Sequence, residues 1–225
     1  MPVPFLPYRS DSLHAPFISI NYEHSRDLDH AESALQTIKS KPVGKNLLLS
    51  LLYLSNEDRR VIIVVKGQLT DGTSSFPSQS QLRRFNVANN PGDRLYQTLS
   101  NMMSTVNPNG QPSEGCSAIV QFNPYNSIHI DNEGYPVPVS TTQHNFVSLA
   151  HELIHALHTM NGTALNRDSI VSDVFYRGSG TRREEERAVG LGRFEREAIS
   201  ENKIRQEHGL RIRRSYFTKD RPPIT

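Results

Sequence analysis

Ser140-Thr-Thr-Gln-His-Asn-Phe-Val-Ser-Leu-Ala-His-Glu-Leu-Ile-His-Ala-Leu-His-Thr-Met-Asn-Gly162 carries the strongest periodic signal in the 225-residue chain. Phe146, Leu149, Ala150, Leu153 and Leu157 recur every three to four residues, the spacing of one face of an α-helix. Ser140 with Gln143 three residues on predicts a capping box at the start, and Gly162 predicts the stop. Within the helix stands His151-Glu152-Leu-Ile-His155. Two imidazoles four residues apart lie on nearly the same face, so their nitrogens can meet one cation at about 2.0–2.1 Å. Glu152 is then placed to draw a proton from water rather than to bind the ion. The pattern predicts a catalytic Zn²⁺ site, one ion per chain. His158 shares that face, but three ligands along one straight helix would span about 10 Å. It is expected to pack or to support a ligand.

A catalytic zinc needs a third protein ligand. Glu184, Glu185 and Glu186 stand on a predicted helix, from Arg182 to Val189. Residues three and four positions onward share a face. For Glu185 these are Ala188 and Val189, both apolar, which predicts the most inward environment and selects Glu185. The other two glutamates have Arg187 or Gly190 in those positions.

Outward from this core, Ala31, Ala34, Leu35 and Ile38 predict a helix that ends before Pro42, and Leu47, Leu48, Leu51, Leu52 and Leu54 a second. Val61–Val65 reads as a buried strand. A polar connection with an Asp71-Gly72 turn follows, and Leu95, Leu99 and Met102 mark a short helix. Ala118–Phe122 and Ser127–Ile130 are expected to pair as a hairpin through Asn123-Pro-Tyr-Asn126. Residues 167–180 read as loop, and a last helix is expected from Glu201 to His208. Helices and strands mix without βαβ alternation, which predicts an α+β class.

Pro2, Pro4 and Pro7 make the start extended or disordered. The expected division is a flexible leader over 1–25 and one catalytic domain over 26–225. A formal net charge of +2 demands neither nucleic acid nor an anionic membrane, and no run nears the roughly 18 apolar residues of a membrane span. Arg211, Arg213 and Arg214 lie near Glu201 and Glu207 without interleaved aromatics, so no nucleic-acid partner is expected. The single cysteine, Cys116, excludes an internal disulfide framework and is expected to pack as a small hydrophobe.

The segment from His151 to Gly162 resembles the active-site helix of the clostridial neurotoxin light chains, and more closely that of the NleD/HopH/XopG group of type III secreted effector proteases. Glu184-Glu-Glu-Arg-Ala-Val-Gly-Leu-Gly192 is similar to the E-E-x-R-x-V-G-L motif of that group, and Ser200 to Leu210 resembles the segment that follows it. The resemblance implies a zincin-like domain, with a small mixed sheet against the H-E-x-x-H helix and substrate aligned along a strand, here expected at 117–122. It places the glutamate ligand five residues before Gly190, again Glu185. It implies that Arg213 and Tyr216, in Arg213-Arg-Ser-Tyr216, stabilise the oxyanion, although Arg211 replaces the proline common after the Gly-Leu pair. The implied protein is a monomeric zinc endopeptidase exported by a type III system into the host cell cytoplasm. There it would cut a host signalling protein, with MAP kinases of the JNK and p38 type as the leading substrates. The competing expectations are a bacterial intracellular regulatory zinc protease and a non-catalytic zinc-binding interaction module.

Overall fold

The computed structural model describes residues 6–166, 174–176 and 178–220. Its centre is a five-stranded sheet in the order β1-β2-β3-β5-β4. The strands are β1 (Tyr8–Asp11), β2 (Ile18–Tyr22), β3 (Val61–Val65), β4 (Gly72–Phe76) and β5 (Ser117–Phe122). β2, β3 and β5 run parallel, and β1 and β4 close the two edges antiparallel. The β-branched run of β3 is central, where both neighbours are parallel and apolar side chains are needed. Helices α1 (Ser25–Lys39) and α2 (Pro42–Leu54) cross between β2 and β3, and α3 (Gln79–Phe85) and α4 (Arg94–Ser104) between β4 and β5. A separate hairpin, β6 (Ser127–Ile130) with β7 (Pro136–Val139), leads to α5 (Asn145–Met160), which packs on β5, α1 and α2. Helices α6 (Gly180–Val189) and α7 (Glu201–Glu207) follow and pack against α5. The chain is α+β, with its mixed sheet against the H-E-x-x-H helix.

Several expectations change. The leader expected over 1–25 is part of the sheet from Tyr8 onward, because β1 and β2 pair with each other and β2 with β3. Buried Glu32 fixes the turn between them, accepting from the Ser12 hydroxyl and the Leu13 amide. The expected 118–130 hairpin does not form: β5 joins the parallel sheet, and β6 pairs with β7 instead. Consequently 117–122 is an interior strand with no free edge to offer a substrate. The polar stretch after Asp71, expected as a connection, is the edge strand β4.

Helix α5 starts at Asn145, not after Ser140. Thr141 Oγ1 accepts the Gln143 amide, His144 takes the left-handed conformation (φ 63°), and the Asn145 side chain donates to the Pro124 carbonyl. The short helix expected at Leu95, Leu99 and Met102 is α4, whose buried face is Tyr96, Leu99 and Met103, while Leu95 is 65% exposed. Most of the loop expected over 167–180 lies outside the described residues. Cys116 is buried in a small cluster with Leu82, Tyr96, Leu99 and Met103, and burial pushes its thiol up to about 12. That makes it a packing residue rather than a nucleophile.

α2 opens on Lys41 and Pro42 without a side-chain cap of its own. Glu207, at the end of α7, accepts the amides of Val43 and Gly44 at 2.7 and 2.9 Å. A carboxylate there satisfies orphan amides and suits the positive end of the helix dipole.

Gly115 sits at φ +79°, and a Cβ on it would lie 1.9 Å from the Met160 carbonyl at the end of α5. Gly110 has the same φ with open space around it. Gly115→Ala is therefore expected to cost at least about 2 kcal/mol, lowering Tm by roughly 4–8 °C or more. Gly110→Ala should cost only the backbone strain. Equal melting temperatures for the two variants would refute the close-approach argument.

Candidate metal centre

α5 is held by apolar contacts around most of its circumference, with Leu149, Leu153 and Ile154 fully buried. This rigid support turns His151 and His155 toward α6 and the cleft. The Nε2 atoms of the two histidines are 3.1 Å apart, and Glu185 Oε2 from α6 lies 3.1 Å from one and 3.3 Å from the other. Three Lewis-basic atoms thus crowd one point. Tetrahedral ligands at about 2.0–2.1 Å from Zn²⁺ stand about 3.3 Å from each other, so these side chains could hold such an ion with little movement.

The other nitrogen of each imidazole is also engaged. His151 Nδ1 lies 2.9 Å from Glu201 Oε2, and His155 Nδ1 lies 3.1 Å from Glu184 Oε1. With a carboxylate taking each Nδ1–H, both Nε2 lone pairs are directed to the common centre. Glu201 is itself braced by Arg205 at 2.6 Å and by Arg213 at 3.0 Å. Burial alone would raise the Glu201 carboxyl, but these two guanidinium groups hold it well below the usual range. Glu184 accepts in addition from His158 Nδ1 at 2.6 Å and from the Leu165 amide at 2.9 Å. Burial depresses His158, so this neutral imidazole is a support for Glu184.

The three glutamates of α6 separate in a way their neighbours did not foretell. Glu184 is the most buried, with 4% of its side chain exposed against 20% for Glu185, while Glu186 pairs with Arg182. Glu185 nevertheless is the one that meets the histidine pair. Burial would raise Glu185 and lower His151, yet their mutual contact wins. Glu185 is held below the carboxylate range, and His151, touched also by Glu201, rises to about 9. Protons and a divalent cation therefore compete for the same three atoms.

Glu152 is buried beside them, which raises its carboxyl, and its Oε2 lies 2.9 Å from the Thr73 hydroxyl of β4. A cleft of about 760 Å³ opens over these groups. β4 and the preceding Asp71 form one wall, the β6–β7 hairpin with Ile128, Pro136 and Pro138 another, and Tyr216 with Phe217 a third. Burial raises Asp71 to about 7.

Arg213 and Tyr216 both line the cleft, by different means. The Tyr216 phenol is raised by burial first and by the charge of Glu185 second, so it stays a neutral donor facing the centre. The guanidinium of Arg213 is directed elsewhere: it donates to Glu201 and to the carbonyls of Ser215 and Tyr216. It sits behind His151 and holds the turn that presents Tyr216.

The sequence profile of Peptidase_M91, described as an effector protein, matches residues 18–216. That match spans β2 to Tyr216 and takes in every residue of the site. The chain belongs to the Peptidase_M91 effector family. No curated protein matches it. Among solved structures, the Clostridium botulinum neurotoxin serotype F light chain is similar at 15% identity and TM-score 0.48, over 88% of this chain and 69% of that one. A catalytic domain of the same serotype is similar at 19% identity and TM-score 0.42, over 82% of this chain and 47% of that one. Within this peptidase family member, sequence reasoning missed Glu201, Glu184 as a brace, Thr73 and Asp71. For Glu201 the available signal was Arg205 one turn later, a cation to neutralise a buried acid. For Thr73 there was none.

Proposed function

We propose that this Peptidase_M91 protein is a zinc-dependent endopeptidase effector that cuts a protein of the host cell. The observation that carries the reading is the meeting of His151 Nε2, His155 Nε2 and Glu185 Oε2 within 3.3 Å, on the floor of an open cleft. Zinc bound there supplies Lewis acidity, which acidifies water and polarises a peptide carbonyl. Glu152 takes the proton of the attacking water and returns it to the departing amine. The neutral Tyr216 phenol donates to the oxygen that becomes negative. Arg213 acts one step back, fixing Glu201 and the backbone of Tyr216. β4, an edge strand beside α5, is the element along which an extended peptide would add as a further strand.

The family's designation as an effector supports action outside the producing cell. The resemblance of the α6 and α7 segments to NleD/HopH/XopG proteins extends this to type III delivery and to MAP kinases of the JNK and p38 type. Among the described residues, no helix is long and apolar enough to cross a membrane. The test is mapping of new protein N-termini in host-cell extract, comparing wild type with Glu152→Gln. The expected result is a small set of cleavages, in signalling proteins, present only with wild type and lost on chelation. Identical N-termini from the two proteins would defeat the peptidase reading. A substrate set without kinases would defeat only the substrate class.

A further inference from the structure

Thr73 stands on β4 with its hydroxyl against α5, and Oγ1 contacts two atoms of one residue. It lies 2.8 Å from the main-chain carbonyl oxygen of Glu152 and 2.9 Å from Glu152 Oε2. A threonine hydroxyl has one proton to give and lone pairs with which to accept. It can therefore donate to only one of those two oxygens at a time. In either case Oγ1 stays between the two oxygens and pins Oε2 beside the main chain of its own residue.

The position of Thr73 is itself well determined. Its strand is in register with β5, Thr73 opposite Val120, and the next residue on the same face, Ser75, bonds to Ser100 of α4. The hydroxyl is thus tied to the sheet, while Glu152 is tied to the helix that carries both histidines.

We infer that Thr73 is a positioning residue for Glu152. It holds Oε2 against β4 and so leaves Oε1 to face the cleft. The inference rests on the zinc-peptidase reading for its kinetic consequence, but its geometric part does not. It also gives the polar edge strand a role in the reaction besides aligning a peptide.

The test uses Thr73→Val, which keeps shape and removes the hydroxyl, and Thr73→Ser, which restores it. Three readouts are needed: zinc content with Tm, kcat and KM measured separately on a mapped substrate, and the Glu152 side-chain position in crystals. Thr73→Val is expected to bind one zinc and to keep KM, with kcat lowered about 10–100-fold and the Glu152 carboxylate swung from its site. Thr73→Ser should recover kcat to within about threefold. A folded Thr73→Val with wild-type kcat, or with Glu152 unmoved, would overturn the inference, as would a folded Thr73→Ser with the defect of the valine variant. If wild type cleaves nothing, the peptidase reading falls by itself. The crystal position of Glu152 then still decides whether Thr73 anchors it.

Discussion

Glu152→Gln is expected to lower turnover by about 10²–10⁴-fold and to leave zinc content at one per chain. The two outcomes separate because Glu152 is not among the three atoms that converge on the ion site, His151 Nε2, His155 Nε2 and Glu185 Oε2. Glutamine keeps the length of the side chain, and its amide oxygen can still accept from Thr73. It cannot accept a proton from water. Buried Glu152 also sits close to the histidines, whose positive charge opposes the upward push of burial on its carboxyl. Metal analysis and kinetics on the same preparation check this. Retained turnover would remove Glu152 from the chemistry, and lost zinc would make it a structural part of the ion site.

Replacing the α6 glutamates should produce two different defects. Glu185→Ala removes one of the converging atoms and is expected to lower zinc affinity by more than 100-fold, with little loss of fold stability. Glu184→Ala removes an acceptor shared by His155, His158 and the Leu165 amide. Buried donors left without partners cost about 1–3 kcal/mol, and losing an outer partner of a metal ligand about 10–100-fold in affinity. The second variant should therefore melt earlier yet bind zinc better than the first. Isothermal titration with zinc and thermal melts on both would show it, and the reverse order of affinities would reassign the third ligand. In wild type, zinc affinity should fall as pH is lowered, because His151 and His155 gain protons on the nitrogens that the ion needs.

The parts of this arrangement that were legible in sequence are those with strong periodicity. α5 declares itself by an apolar stripe, and β3 by its β-branched run. The edge strands did not, for a physical reason. An edge strand needs no apolar alternation, and polar residues there discourage pairing with other chains. β4 reads Gly-Thr-Ser-Ser-Phe, and what holds it is backbone pairing with β5 and hydroxyl bonds to Glu152 and Ser100. None of these has a local sequence signature. The hairpin expected between β5 and β6 failed because adjacency in sequence is only a tendency in strand pairing. Here β3, more than fifty residues upstream, takes the place beside β5. The choice of Glu185 through its apolar neighbours shows how a local argument can mislead about burial. Glu184 is the deeper residue because it serves two histidines and a main-chain amide.

The clasp of Glu207 on the first turn of α2 bears on how such a molecule can be made. A nascent chain that has emerged only as far as the histidine helix still has uncapped amides at Val43 and Gly44, and it lacks both carboxylates that orient the imidazoles. Capping of α2 and orientation of His151 thus wait for the same stretch of polypeptide, α7. A fragment ending before α7 should leave the start of α2 uncapped and hold metal about 10–100-fold more weakly than the whole chain, for want of Glu201 against His151.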